Sequence, residues 1–134
     1  MAIGFNVLLR NAMLNQITSR AGANAILRIL SGTRPATAGA QTTVLAQLTC
    51  NATFAPAASN GVLTINPISP ATSAAATGTA TWWRLLASDG TTHVLDGSVS
   101  TIAAGTGDMQ LDDVNIVLGG TVAISAASLT AGNP

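Results

Sequence analysis

The chemistry open to these 134 residues is set by a short inventory: one His, one Cys, five Arg and five Asp, with no Lys, Glu or Tyr. His93 is the sole imidazole, and on an alternating strand it shares a face with Leu95, which suits a half-buried structural His better than a catalytic base. A hydrolytic triad would need His93, a carboxylate such as Asp96 or Asp89, and a serine that no nucleophile-elbow motif marks. Asp108, Asp112 and Asp113 supply the hard oxygens that Ca²⁺ prefers, but their spacing fits no loop signature, and Asp beside a short strand is a turn former. The Gly105-Thr106-Gly107-Asp108 run precedes no helical pattern, so it lacks the helix N-terminus that a phosphate cradle uses. The expectation is a chain that is not an enzyme and binds no cofactor or metal.

Cys50 stands alone, so it forms neither an internal disulfide nor a cysteine cluster, and reads as a small buried apolar residue of a chain made in a reducing cytoplasm. Asn51-Ala52-Thr53 matches a glycosylation sequon without other signs of secretion. The opening residues show no basic segment and no long apolar run of a signal peptide, and no stretch reaches the ~18 apolar residues needed to cross a bilayer. Net charge is zero, which argues against direct binding to nucleic acid or to a membrane surface, both of which draw on clustered Lys and Arg. Few charges also mean little repulsion between copies, so self-association as a dimer or trimer is expected. Arg10, Arg20, Arg28 and Arg34 fall in the first quarter and every Asp in the last third, as if the two ends pack together or, as the alternative, neighbouring copies pair head to tail.

Trp82 and Trp83 are the informative neighbours, because adjacent strand residues point to opposite faces. Trp83, Leu85 and Ala87 form the apolar face, so Trp83 is expected inward and Trp82, beside Arg84, outward. An outward Trp82 either lies under a loop or stacks on Arg84 within the monomer, or else serves a partner. Trp and Arg dominate interface hot spots, so the candidate partner surface is Trp82 and Arg84, with Arg10 and Arg34 as weaker members.

Positioning these side chains falls to one helix followed by short strands. Asn6 is a fitting N-cap and Gly22 a stop for a helix over 7–20, whose Leu9, Met13 and Ile17 recur at i, i+4 and i+8, with Ala12 and Leu14 beside them, as the expected apolar face. Asn11, Asn15, Thr18 and Ser19 form its expected polar face. Thereafter β-rich runs at 25–30, 43–49, 61–66, 79–87, 91–96, 108–111, 114–118 and 121–129 give eight strands. Asp89-Gly90 and Gly119-Gly120 mark two hairpins, since both dipeptides allow the positive φ of a tight turn. Segments 31–42, 51–60 and 67–78 read as long surface loops. With 25 Ala and 38 larger apolar residues, the chain fills one core. The expected fold is all-β, an antiparallel sandwich or jelly roll in a single domain over 1–134, with an N-terminal segment and helix over 1–22 and the sandwich over 24–134. Sheet edges lack charged guards, so Pro35, Pro56, Pro67 and Pro70, or a bound partner, must blunt them.

Several segments taken in order carry a resemblance over nearly the whole chain: Leu8-Leu9-Arg10-Asn11-Ala12-Met13-Leu14; Leu30-Ser31-Gly32-Thr33-Arg34-Pro35-Ala36; Ala76-Thr77-Gly78-Thr79-Ala80 running into Trp83-Arg84-Leu85-Leu86-Ala87-Ser88-Asp89-Gly90-Thr91; Gly107-Asp108-Met109-Gln110-Leu111; and Gly119-Gly120-Thr121-Val122. Together they resemble small virion structural proteins of tailed bacteriophages and prophages, and within that group the jelly-roll cement, or decoration, proteins. One departure is the first segment, which in such proteins is often followed by acidic residues and here is neutral and Arg-bearing. The resemblance implies a homo-oligomeric structural protein on the virion capsid surface, with the major capsid protein as partner. A tail or head-to-tail connector subunit is the nearest alternative, and a small hydrolase or carbohydrate-binding module the one from another class.

Overall fold

The computed structural model describes residues 3–131. Helix α1 (Val7–Ala21) begins where Asn6 Oδ1 accepts the Leu8 N–H at 2.8 Å, and ends at Gly22, which reaches a φ of 70° while its N–H bonds the Thr18 carbonyl. The strands follow: β1 (Ile26–Leu30), β2 (Val44–Thr49), β3 (Val62–Thr64), β4 (Gly78–Thr79), β5 (Trp82–Leu86), β6 (His93–Thr101), β7 (Met109–Leu111), β8 (Asn115–Ile116) and β9 (Ile124–Thr130). The protein is mostly β with one helix, 34% strand and 12% helix. Nine described strands replace the eight expected, because the run at 79–87 breaks into β4 and β5 at Ala80.

Seven strands form one sheet in the order β2-β1-β5-β6-β7-β9-β3, and β4 pairs with β8 separately. All pairings are antiparallel except β6 with β7, which run parallel with Val99 opposite Met109. Parallel neighbours ordinarily need a crossover of a dozen residues or more. Here the return over 102–108 is tight: Gly105 N–H bonds the Thr101 carbonyl, Gly107 N–H bonds Ser100 Oγ, and Asp108 Oδ2 accepts the Ser98 N–H. Gly107 lies so close to β6 that a Cβ would sit 2.5 Å from the Ser100 nitrogen. The glycines at 105 and 107 thus serve chain reversal.

One buried cluster joins Leu45, Ala46 and Leu48 of β2 to Met109 and Leu111 of β7, with Leu27, Ile29, Trp83, Leu85, Phe54 and Ile116 between them. Strands so far apart in the sheet order share a core only if the sheet curls over on itself. The hairpin at Asp89-Gly90 forms as expected: Gly90 takes a φ of 73°, and Asp89 accepts the N–H groups of Thr91 and Thr92. The Thr92 hydroxyl, with the Thr92 and Thr91 N–H groups, lowers the Asp89 pKa to about 2. The second expected hairpin is corrected. Gly119-Gly120 does turn the chain, but β8 pairs with β4 and β9 with β7 and β3, because segment 71–79 runs between the two flanks and takes their hydrogen bonds. The stretch read as surface loop at 67–78 is therefore partly strand.

The buried face of the helix is only partly the expected one. Leu14 and Ala21 are buried, with Ile17 partly so, whereas Leu9 and Met13 are 49% and 41% exposed. What turns the helix is its asparagines: Asn11 Oδ1 accepts the Gly61 N–H at 2.9 Å and Asn15 Oδ1 the Ala58 N–H at 2.8 Å. Both N–H groups belong to the 51–61 stretch, which would otherwise leave them without partners as the helix covers them.

Candidate functional site

The face of the sheet opposite the main core carries a polar row. Cross-strand register sets Gln47 (β2), Arg28 (β1), Arg84 (β5) and Asp96 (β6) side by side. Arg28 donates to Gln47 Oε1 at 2.9 Å and to Gln41 Oε1 at 3.1 Å. Arg84 grips Asp96 bidentately, Nε to Oδ1 at 2.7 Å and Nη2 to Oδ2 at 3.0 Å, and donates from Nη1 to the Gly39 carbonyl at 2.8 Å. Its guanidinium carbon lies 5.2 Å from the Trp82 ring centre. The Trp82 indole N–H donates to Thr42 Oγ1 at 2.9 Å, and Ala38 N–H reaches Asp96 Oδ2 at 3.3 Å.

Segment 31–43 thus crosses this face and covers Trp82, Arg84 and the Asp96 side chain, while Gln47 stays exposed. Trp82 is 1% exposed and Arg84 5% exposed. Alternation holds as expected, with Trp83 in the core and Trp82 on the other face, and of the alternatives for Trp82 the structure shows the one within the monomer: a covering segment encloses it and its cation–π partner Arg84. Arg10 is half-buried and donates from Nη1 to the Ala131 carbonyl at 3.2 Å, while Arg34 is exposed. The four residues expected to form one partner surface are therefore not gathered into an exposed patch. Arg10 does meet Ala131, yet the described Arg–Asp ion pair is that of Arg84 with Asp96, and Arg10 and Arg28 meet a carbonyl and two amides instead.

His93 Nε2 lies 3.1 Å from Asp96 Oδ1, an ion-pair distance at which the ring nitrogen is not aligned for a hydrogen bond. Burial pushes the Asp96 carboxyl up. The Arg84 hydrogen bonds, His93, the Ala38 N–H and the Arg84 charge outweigh burial, and hold the carboxyl below its ordinary value. Asp96 thus has the position of a triad carboxylate but its oxygens are committed to Arg84. Among the described residues no hydrogen bond links His93 to a serine hydroxyl. Cys50 is buried, and burial raises its thiol to about 11.

The remaining carboxylates bracket turns. Asp108 bonds Ser98, Asp112 accepts from Ser125, and Asp113 accepts the Asn115 N–H. Among the described residues no three His, Cys or acidic side chains gather as a metal site would require, and no helix is long and apolar enough to cross a membrane.

Two features that no sequence pattern announces are exposed and apolar. The first is the outer face of α1, with Leu8 73% exposed alongside Leu9 and Met13. The second is the tip of the β8 turn, where Val117 and Leu118 are 65% and 64% exposed. That tip is rigidly held: Leu118 N–H bonds Thr77 Oγ1, Gly119 N–H bonds the Ala74 carbonyl, and Gly120 N–H bonds the Val117 carbonyl. Beside it a cavity of about 310 Å³ is lined by Asp112, Asp113, Asn115, Ile116 and Thr121 among others. Comparison of the chain with family models, curated proteins and solved structures finds no match.

Proposed function

We propose that the chain is a virion structural protein, a cement protein that binds the outer capsid lattice of a tailed phage and stabilises it. The observation that carries this reading is the Val117-Leu118 tip, two large apolar side chains presented to solvent on a turn fixed by backbone hydrogen bonds. A preorganised apolar tip seats in a partner pocket with little ordering cost. The sequence resemblance supplies the partner, the major capsid protein, and the near absence of charge suits permanent contact. Binding only the assembled lattice shifts the equilibrium toward it by mass action, and several copies multiply the effect.

The scaffold belongs to the same proposal. Antiparallel pairing and a curled sheet around one core support a jelly-roll-like sandwich, with the parallel β6–β7 contact as its own variation on that plan. Such a rigid body transmits load between lattice contacts.

The test is occupancy on purified capsids. Val117→Ser with Leu118→Ser should leave the melting temperature of the free protein unchanged and weaken attachment about tenfold or more, as expected for an interface anchor. Equal occupancy of variant and parent would remove the tip from the interface. Failure of the parent to bind capsids would reject the cement reading in favour of a tail or connector subunit.

A further inference from the structure

We infer that Asn60 is a site of spontaneous deamidation, and that the docking of α1 through Asn11 sets its rate. Asn60-Gly61 is the single Asn-Gly step of the chain. A following residue without a Cβ leaves the backbone nitrogen free to reach the side-chain amide. In the reaction the Gly61 nitrogen gives up its proton to solvent base and attacks Asn60 Cγ. A bond forms between that nitrogen and Cγ, the Cγ–Nδ2 bond breaks, and the amide nitrogen leaves as ammonia, taking its protons from solvent. Water then opens the cyclic imide at one of its two carbonyls, giving aspartate or isoaspartate, the latter with the main chain running through the former side chain.

The fold both requires this step and restrains it. Residues 59–62 form a tight hairpin: Ser59 N–H bonds the Val62 carbonyl at 3.0 Å, and Val62 N–H the Ser59 carbonyl at 2.9 Å. Its central residues, Asn60 and Gly61, take φ of 52° and 76°, which Asn and Gly adopt most readily. Asn60 is exposed, whereas Gly61 is buried beside α1. Gly61 is held through both of its backbone groups: its N–H donates to Asn11 Oδ1 at 2.9 Å, and its carbonyl accepts the Ala131 N–H at 2.9 Å. An N–H committed to Asn11 keeps its proton, and its nitrogen cannot swing toward the Cγ of the residue before it. Attack therefore waits for a local opening in which α1 lets go of Gly61. Isoaspartate would add a methylene to the main chain of the turn, misalign the Ser59–Val62 pair and draw Gly61 away from Asn11. The modification thus loosens the helix that had prevented it. The inference concerns the free chain and stands or falls apart from the cement reading.

The test follows loss of the Asn60 amide by peptide mass spectrometry, with chromatographic separation of the isoaspartyl form, in the full chain held at mildly alkaline pH below its melting temperature. The folded parent should react at least about a hundredfold more slowly than the same chain in guanidinium chloride, since opening must break several hydrogen bonds together. Asn11→Ala, which removes one acceptor, should react about tenfold faster than the folded parent. Asn11→Asp, whose carboxylate accepts the same N–H more strongly, should stay at or below the parent rate. Asn15→Ala weakens helix docking at Ala58 without touching the Gly61 N–H, so it should accelerate the loss far less than Asn11→Ala; equal acceleration overturns the role of Asn11. If Asn11→Ala does not fold, the parent in low guanidinium chloride carries the test: amide loss must rise in step with deuterium exchange at the Gly61 N–H, and loss that ignores that exchange overturns the guard. A folded parent that reacts as fast as the unfolded chain overturns it as well, and an unfolded chain that keeps its Asn60 amide removes the site.

Discussion

Replacing Asp96 with Asn removes one charge and almost no volume, and it should cost far more than a surface change of the same kind. The Arg84 and Asp96 side chains are 6% and 4% exposed, so water cannot replace the lost partner. The Arg84 cation would keep the Gly39 carbonyl, the Trp82 ring and one neutral amide oxygen, with no counter-charge. Leaving one member of a buried pair uncompensated costs about 3–5 kcal/mol, which for a domain of this size lowers the melting temperature on the order of 10–20 °C. The assay is urea denaturation of parent, Asp96→Asn, Arg84→Met and the double variant Arg84→Met with Asp96→Leu. The double variant should recover much of the loss, because it removes both charges together. The pH dependence has a definite sign. Asp96 titrates below its ordinary value when folded, so its stabilisation is present above the unfolded carboxyl pKa of about 3.9 and is lost as pH falls through the folded value. The parent should therefore lose stability on acidification more steeply than Asp96→Asn does. A cost under about 1 kcal/mol for Asp96→Asn, typical of exposed pairs, would refute the enclosure of this face by segment 31–43.

Gly107→Ala should destabilise by about 2–3 kcal/mol or more, since the added Cβ meets backbone atoms of Ser100 and Val99 at 2.5 and 2.7 Å that cannot rotate aside; an unchanged urea midpoint would mean that the β6–β7 return has room for a side chain. Trp82→Ala should cost about 3–5 kcal/mol through the cavity it leaves, and limited proteolysis should then cut within 31–43, where the parent resists. Normal folding of that variant would show that Trp82 is a surface residue after all.

Local signals were legible in the sequence and partner choice was not. The helix lies within a residue of its expected span, because Asn6 and Gly22 act on their own neighbours. Asp89-Gly90 formed its hairpin for the same reason: β5 and β6 are adjacent in the chain and need no third party. Gly119-Gly120 carries an equally good turn signal, yet its flanks pair elsewhere, since the hydrogen bonds were taken by segment 71–79, far upstream. The parallel β6–β7 pair had no local signature except a glycine at 107, whose meaning depends on a backbone it does not precede or follow.

At the candidate site the sequence set the face of each side chain but could not choose what covers it. Trp82 and Arg84 were correctly set on the face away from the core, but segment 31–43 is rich in Ala, Thr and Gly and gave no apolar pattern to announce that it lies over them. It holds them through backbone atoms, the Gly39 carbonyl and Ala38 N–H, which no side-chain pattern records. On α1 the apolar stripe is wider than the side that is buried: Leu14, Ile17 and Ala21 turn inward, whereas Leu9 and Met13 stay exposed. Hydrophobicity alone cannot choose between them. The choice was made by Asn11 and Asn15, one helical turn apart, each matched to a backbone N–H that burial would otherwise strand. In this chain the asparagine pair at that spacing marks the inward helix face, which leaves Leu8, Leu9 and Met13 exposed on the other side.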